Sequence, residues 1–572
     1  MKGAEAIVEA LKREGVKHIF GITGGAIMIV YDVLHDEKDI KHILMRHEQC
    51  AAHAAEGYAR ASGKVGVCMA TSGPGATNLI TGITDAYMDS SPIVAFTGQV
   101  PTNLIGGDSF QEADIIGMTM PITKYNFQIK DPKNIGRIIK SAFKIASSGR
   151  PGPVVVDLPK DVQLNEAKVD FPKEVDIPGF KPKLEGHPVQ IKKAVKMLLN
   201  AQYPVIISGG GVVISGASEE LMKIAELLGT PVVTTLMGKG SFPESHPLCL
   251  GMAGMHGRKV ANWALTQADV IVTIGMRFSD RITGSLDSFA QDAKVIHIDI
   301  DPAEIGKNVK VDLPIVGDAK LILKDLLKVL LKMTEKRKTV WTDRVKELKE
   351  YCECNLNYKG SPVDPRTVIH IVKKFVKDDD IIVTGVGRHQ MFAAHYFIRN
   401  KPRTFISSGG LGTMGFGFPA AVGAKVACPD VEVIDYDGDG SFQMTGKELA
   451  TCKENGIKVI AIITHDKWLG MVHQWTRLFL KERYSHVYLG EVPDFVKYAE
   501  AFGLDGMKAN KPSEVKEALK AAKKSDETFV IDIDVNSKID ILPMMPAGGS
   551  LDQFFGPCIK KSLLEDIKPV RK

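Results

Sequence analysis

The chain has 572 residues, of which 44% are hydrophobic and 25% charged, with a formal net charge of +5. That length is too great for a single core and implies roughly three or four domains; so small a charge, with no block of like charges, argues against an electrostatic nucleic-acid or membrane-surface binder.

The opening MKGAEAIVEALKREGV predicts an amphipathic helix. It lacks the apolar core of a secretory signal and the Arg/Ser bias of a transit peptide, and no apolar run in the chain is long enough to span a bilayer. The eight cysteines are scattered, as in a reducing compartment. Cys352 and Cys354 are close neighbours, but no second Cys/His pair follows at zinc spacing. We therefore expect a cytoplasmic enzyme.

Short apolar runs then alternate with helix-like stretches along the chain: VGVCMATSG, IVAFTGQ, PVVVDLP, PVIISGGG, DVIVTIG, KVIHIDID, DIIVTGVG, VEVIDYDGDG and VIAIITHD. Continuous apolar strands ending in Gly, Asp or Ser predict an α/β chain of doubly wound parallel sheets, with ligands at the carboxyl ends of the strands. A Pro/Lys/Glu-rich stretch and a charged helix interrupt the pattern. We expect a first domain over 1–165, a linker over 166–188, a second domain over 189–335, a linker helix over 336–363, a third domain over 364–540 and a tail over 541–572.

The most informative stretch is Asp437-Gly438-Asp439-Gly440-Ser441, directly after a strand and before a helix. Glycines admit a phosphate to the backbone, and a helix N-terminus offers free N–H groups. Asp439 suits a hard divalent cation such as Mg²⁺, although Asp-Gly by itself is equally at home in a plain turn. Near the start, the apolar run Ile43-Leu44-Met45 delivers Arg46-His47-Glu48 to an Ala-rich helix. Glu48 is either a solvated helix-first-turn carboxylate or a buried acid–base group.

The first stretch resembles the thiamine-diphosphate motif that opens with Gly-Asp-Gly and closes about two dozen residues later with Asn-Asn. Here residues 441–464 intervene, and His465-Asp466 stands where the pair belongs. RHEQ with AAHAAEGYAR resembles the segment carrying the catalytic glutamate of those enzymes. TSGPGATN, GQVPTNLIGGDSFQE, GRPGPVVVDLPKDV, GMHGRKVAN, RFSDRITG, HIDIDPAEIGK, SSGGLGTMGFGFPAA and MVHQWTRLF together resemble the acetolactate synthase (acetohydroxyacid synthase) catalytic subunits over nearly the whole chain.

The resemblance implies three domains, for the pyrimidine, a flavin and the diphosphate. It implies Glu48 as the group that protonates the cofactor's pyrimidine, with Gln111, Lys160, Arg281 and Trp475 positioning substrate. The metal would be held by Asp439, Asp466 and the carbonyl of Trp468. Gly24, Pro74, Asn78, Gln390, Gly412, Met414, Gly438, Gly440, Ser441, Met471 and Val472 would contact thiamine diphosphate. Arg150, Gly209, Gly210, Gly211, Met255, His256, Gly257, Gly275, Arg277, Asp299 and Asp318 match the segments that bind a structural FAD.

The implied reaction joins pyruvate, after loss of carbon dioxide, to a second pyruvate or to 2-oxobutyrate, in valine, leucine and isoleucine biosynthesis. It also implies a homodimer or tetramer, since the cofactor of this family lies between the first domain of one subunit and the third domain of another, and a regulatory small subunit. By period alone, Met471, Val472 and Trp475 share one helical face and read as core; the resemblance instead implies that Trp475 shapes the acceptor pocket.

The chain departs from the family at Thr23, Cys50, Ser279, Arg388 and His465-Asp466. Arg388 adds a cation near the expected diphosphate region and Asp466 an anion; we expect the two to compensate. The tail segment DILPMMPAGGSLDQFF is expected to close over the pocket. The alternatives are another thiamine-diphosphate 2-oxoacid decarboxylase or oxidase, and a diverged paralogue without catalysis, which retained Glu48 and Asp439 disfavour.

Overall fold

The computed structural model describes residues 1–351, 361–491, 493–554 and 556. Cys352, Cys354 and the end of the expected tail lie outside the described residues.

Three six-stranded parallel sheets carry the chain. The first comprises β1 (His18–Gly21), β2 (Lys41–Leu44), β3 (Gly66–Ala70), β4 (Ile93–Gln99), β5 (Tyr125–Gln128) and β6 (Val154–Pro159). The second comprises β7 (Pro204–Ser208), β8 (Val232–Thr234), β9 (Cys249–Met252), β10 (Val270–Ile274), β11 (Lys294–Asp299) and β12 (Leu313–Val316). The third comprises β13 (Ile381–Thr384), β14 (Phe405–Ser407), β15 (Val433–Gly438), β16 (Ile460–His465), β17 (Asp505–Ala509) and β18 (Phe529–Asp534). Strands β3, β4, β6, β10, β13 and β15 are buried along their whole length. That is why their sequences are unbroken apolar runs instead of alternating ones: helices cover both faces.

Strand order places the ligand edges. The first sheet runs β2-β1-β3-β4-β6-β5 and the third β14-β13-β15-β16-β18-β17, the same permutation. In each, the order reverses beside the first strand, so the crevice opens between β1 and β3 and between β13 and β15. The second sheet runs β12-β11-β10-β7-β8-β9. This is the dinucleotide-binding order, with its crevice between β7 and β10.

The chain forms two compact units. One holds the first and third sheets (Met1–Lys181, Asp380–His389, Ile406–Val535), and the other holds the second (Pro182–Asp379, Gln390–Phe405 and the described residues from Asn536 onward). Within the first unit a single apolar core runs from Phe20, Ala51 and Ile83 to Phe416, Ala420 and Ile463. Its tightest contact joins helix Glu48–Ser62 to helix Gly417–Ala427. A Cβ added at Gly57 would lie 2.0 Å from the Ala420 carbonyl oxygen, and one at Gly423 would lie 1.8 Å from that of Ala54. Only glycine lets these backbones meet. Among the described residues no helix is long and apolar enough to cross a membrane.

Candidate active site

In the first sheet, β2 ends at Leu44 and Glu48 opens the next helix, with His47 as its N-cap. The expectation of a buried group holds: Glu48 is only 9% exposed. Its Oε2 accepts from Asn78 Nδ2 at 3.0 Å. A Cβ on Gly75 would sit 3.4 Å from Glu48 Oε1, so the Gly-containing turn after β3 leaves room for the carboxyl. Pro74 starts that short helix, Pro74–Asn78.

The loop after β1 closes on the same turn. The Ala26 amide donates to Thr71 Oγ1 at 3.2 Å, and a Cβ on Gly24 would strike the Thr71 side chain at 2.6 Å. Thr23 lies in this loop. Gln111 adopts φ 59° in an exposed loop, and its carbonyl oxygen would be 2.8 Å from a Cβ on Gly73. Thus Glu48, Asn78, Pro74, Gly24 and Gln111, spread over 88 positions of sequence, converge at one edge. Lys160, half-buried, begins the helix after β6.

In the third sheet, β15 ends in Gly438, and Asp439 is the first residue of helix Asp439–Thr445. Asp439 Oδ2 accepts from the Lys467 amide at 2.8 Å, and Asp466 Oδ1 accepts from the Trp468 amide at 2.9 Å. Burial, then the neighbouring Asp466 charge, pushes Asp439 up to about 7. Such a pair of carboxylates carries an excess of negative potential that a cation relieves. Burial opposes protonation of His465, but its hydrogen bond to Asp532 and the charges of Asp532 and Asp439 raise it overall. Arg388, after β13, pairs with Asp466 Oδ2, so two of the departing positions touch.

The neighbouring turns are tied to this motif. The buried Ser441 hydroxyl oxygen accepts from the amides of Gly415 at 3.0 Å and Val386 at 3.4 Å. A Cβ on Gly440 would lie 3.5 Å from Met414 Cε, and one on Gly438 would lie 2.5 Å from His389 Nδ1. Gly412 has φ 74° and its amide donates to Ser408 Oγ. The core reading of helix Gly470–Phe479 is corrected. Its polar His473, Gln474 and Thr476 are the buried residues, while Met471 and Trp475 are half-exposed and Val472 is 50% exposed. Trp475 rests on Phe479 at a ring separation of 5.2 Å. An apolar face turned outward is available to a ligand or a partner chain.

In the second unit, Gly209, Gly210 and Gly211 follow β7, and Gly275 follows β10. A Cβ on Gly209 would be 2.2 Å from the Gly275 carbonyl oxygen, and one on Gly211 would be 2.6 Å from Gly275 Cα. These glycines bring two backbone turns together at the sheet's crevice. Asp299, ending β11, is buried and accepts from the Asp301 amide. Asp318 is the N-cap of helix Ala319–Met333, accepting from Leu321 N. Burial lowers His256 to about 4. A Cβ on Gly257 would lie 2.6 Å from the Ala253 carbonyl carbon, and Arg277 is half-buried. Gln390 is buried in this unit, and Arg150, in the first unit, donates to Ser90 Oγ at 2.9 Å.

Arg281 is exposed, its Nη1 lying 3.3 Å from Met255 Sδ. The described part of the tail docks here: Met545 N donates to the Met255 carbonyl oxygen at 2.8 Å, and Ile541, Met544 and Met545 are fully buried.

Sequence reasoning missed a buried polar cluster in the first unit. His53, Glu56 and Asp85 bring ligand-type atoms within 4.8 Å of one another. Burial lowers His53 to about 3; burial first, then the Asp89 charge, raises Asp85 to about 8. Asp85 accepts from Ser408 Oγ at 2.7 Å, and Asp89 accepts from the amides of Gly409 and Gly410. The signal was present as His53/Glu56 and Asp85/Asp89 at helical spacing, but nothing in one sequence joins the two helices.

The donors at the third sheet are hard oxygens, and the backbone cradle beside them is one that Cβ atoms would fill; this fits a diphosphate with a divalent cation. Comparison with known proteins points to thiamine diphosphate. Residues 1–118 match the "Thiamine pyrophosphate enzyme, N-terminal TPP binding domain", 191–326 the central domain, and 385–533 the "C-terminal TPP binding domain". The "Probable acetolactate synthase large subunit" of Methanocaldococcus jannaschii is 54% identical, covering 100% of this chain and 99% of its own length. The chain belongs to the acetolactate synthase large-subunit family of thiamine-diphosphate enzymes. The Methanococcus aeolicus "Probable acetolactate synthase large subunit" is 52% identical over 96% of this chain and 94% of its own. The Corynebacterium glutamicum "Acetolactate synthase large subunit" is 48% identical over 96% and 89%. In this acetolactate synthase-type enzyme, the two thiamine-binding regions cover most strands of the first and third sheets, which share one strand order.

Proposed function

We propose that this enzyme decarboxylates pyruvate and transfers the two-carbon remainder to pyruvate or 2-oxobutyrate, giving 2-acetolactate or 2-aceto-2-hydroxybutyrate for branched-chain amino-acid synthesis. The observation that carries the reading is the buried Glu48 carboxyl held by Asn78 at one sheet edge, in a chain whose third sheet presents Asp439 and Asp466 at the equivalent edge. Thiamine diphosphate, when bound, supplies a carbon nucleophile that also stabilises the negative charge left by loss of carbon dioxide.

Glu48 holds and returns the proton that the pyrimidine requires, and Asn78 keeps its carboxyl oriented. Asp439, Asp466 and the Trp468 carbonyl would hold Mg²⁺. Lys160 and Arg281 neutralise 2-oxoacid carboxylates, Arg281 as a planar fork. Gln111 donates amide hydrogen bonds to the developing alkoxide. Trp475, on the outward apolar face, shapes the acceptor pocket. Gly209, Gly211 and Gly275 would admit a structural FAD at the crevice of the second sheet.

The active form is a homodimer or higher, an assignment supported by apolar side chains left at the surface of the first unit, Phe110 at 89%, Met120 at 64% and Leu480 at 60% exposed. A small regulatory subunit and a cytoplasmic location complete the reading, with domains divided at 165, 189, 335 and 364.

The test supplies thiamine diphosphate, Mg²⁺, FAD and equimolar pyruvate and 2-oxobutyrate, and quantifies both acetohydroxyacids. Excess 2-aceto-2-hydroxybutyrate is expected. Carbon dioxide release with acetaldehyde as the only product would assign a simple decarboxylase instead.

A further inference from the structure

The two charged departures meet at the edge of the third sheet. Arg388 Nη2 donates to Asp466 Oδ2, and both side chains are largely withdrawn from water, 4% and 11% exposed. The other carboxylate oxygen, Oδ1, accepts from the Trp468 amide at 2.9 Å. Gly470 makes the contact possible: a Cβ there would lie 2.8 Å from Arg388 Nε and 2.8 Å from Asp466 Oδ2. Asp439, whose Oδ2 is fixed by the Lys467 amide, supplies the second carboxylate of the same edge.

Two carboxylates, one buried and one half-buried, beside a site for an anionic diphosphate repel that ligand unless a cation intervenes. A divalent metal is one such cation, and Arg388 is a second, permanently charged one. Its planar fork suits a carboxylate, and its charge offsets that of Asp466.

We propose that Arg388 is a positioning residue acting through Asp466: a built-in counter-cation that holds this carboxylate and cancels its charge toward the diphosphate. The inference rests on the thiamine-diphosphate reading above. It differs from the plainer idea that Arg388 binds the diphosphate itself, because a counter-cation matters only while Asp466 is charged. It also shares Asp466 with the metal, so Mg²⁺ alone must compete with Arg388 for that carboxylate.

The test is a double-mutant cycle on the full-length protein, R388Q, D466N and both together. Calorimetry gives the Kd for Mg²⁺ alone and for thiamine diphosphate at saturating Mg²⁺. With Asp466 present, R388Q is expected to weaken thiamine diphosphate binding by about tenfold or more, and to tighten Mg²⁺ alone several-fold. In the D466N background the same change is expected to alter either Kd by no more than about twofold. Equal losses in both backgrounds would make Arg388 a direct diphosphate ligand and overturn the proposal, as would no loss in either.

R388K keeps the charge and is expected to bind within a few-fold of the wild type, and binding as weak as that of R388Q in a variant whose circular dichroism shows it folded would contradict the counter-cation role. A wild type that binds thiamine diphosphate and shows the coupling but makes no acetohydroxyacid would sink the proposed reaction and leave this inference standing. A wild type that binds no thiamine diphosphate would remove both.

Discussion

Gly57→Ala tests how the fold positions the Glu48 carboxyl. The new Cβ would sit 2.0 Å from the Ala420 carbonyl oxygen and 2.7 Å from Ala420 C and Cα, where ordinary contact begins at 3.4 Å. These are backbone atoms of a packed helix and cannot rotate aside, so the helices must part by roughly 1 Å or more. Overpacking costs about 1–3 kcal/mol for a flexible neighbour and more for a rigid one. The better helix propensity of Ala returns about 1 kcal/mol, leaving a net loss of about 2 kcal/mol or more.

Glu48 is the first residue of the displaced helix. A misplacement of about 1 Å costs on the order of a hundredfold in rate. Urea unfolding followed by circular dichroism measures the first effect, and kcat for acetolactate formation measures the second. Gly25→Ala, where a Cβ meets nothing within 4 Å, serves as the stability control. A G57A protein with unchanged urea midpoint and unchanged kcat would refute the reasoning.

Three further outcomes are expected. Burial, then the Asp89 charge, pushes Asp85 up to about 8, above an unfolded carboxylate, so the native state keeps a proton that the unfolded chain has lost. This group's contribution to stability therefore falls as pH rises through about 8 and levels off above it; Asp85→Asn should flatten the slope of urea stability between about pH 6 and pH 9, and an unchanged slope would show that Asp85 is not the titrating group. Gly211→Ala places a Cβ 2.6 Å from Gly275 Cα and should abolish flavin retention on gel filtration, whereas full retention would remove FAD from that crevice. Trp475→Leu should leave stability nearly unchanged, since the side chain is half-exposed, while shifting the product ratio away from 2-aceto-2-hydroxybutyrate by about tenfold; an unaltered ratio would exclude Trp475 from the acceptor pocket.

Much of this was legible in one sequence. Unbroken apolar runs such as those of β4 and β6 belong to strands buried on both faces, and their polar ends mark ligand edges. Glu48 and Asp439 stand where strand–turn–helix patterns placed them. What stayed hidden depends on distant pairing. The shared strand order of the first and third sheets leaves no repeat in the sequence, because order is set by crossovers and not by residue type.

The helix carrying Trp475 has a regular apolar period, and period alone says core. It is the polar His473, Gln474 and Thr476 that face inward, and periodicity cannot say which face is turned to the interior. Arg388 and Asp466 were suspect as departures, but 78 positions separate them and only the folded chain brings them into contact.

Glu48 is proposed to drive proton removal from the reactive carbon of thiamine diphosphate. This role is tested most directly by exchange of that carbon's proton for deuterium on the bound cofactor, followed by quenched-flow NMR for the wild type and for Glu48→Gln at equal occupancy. Exchange slowed by about a hundredfold or more is expected in the variant, with cofactor still bound. Exchange at the wild-type rate would contradict it and require another group to hold the pyrimidine's proton.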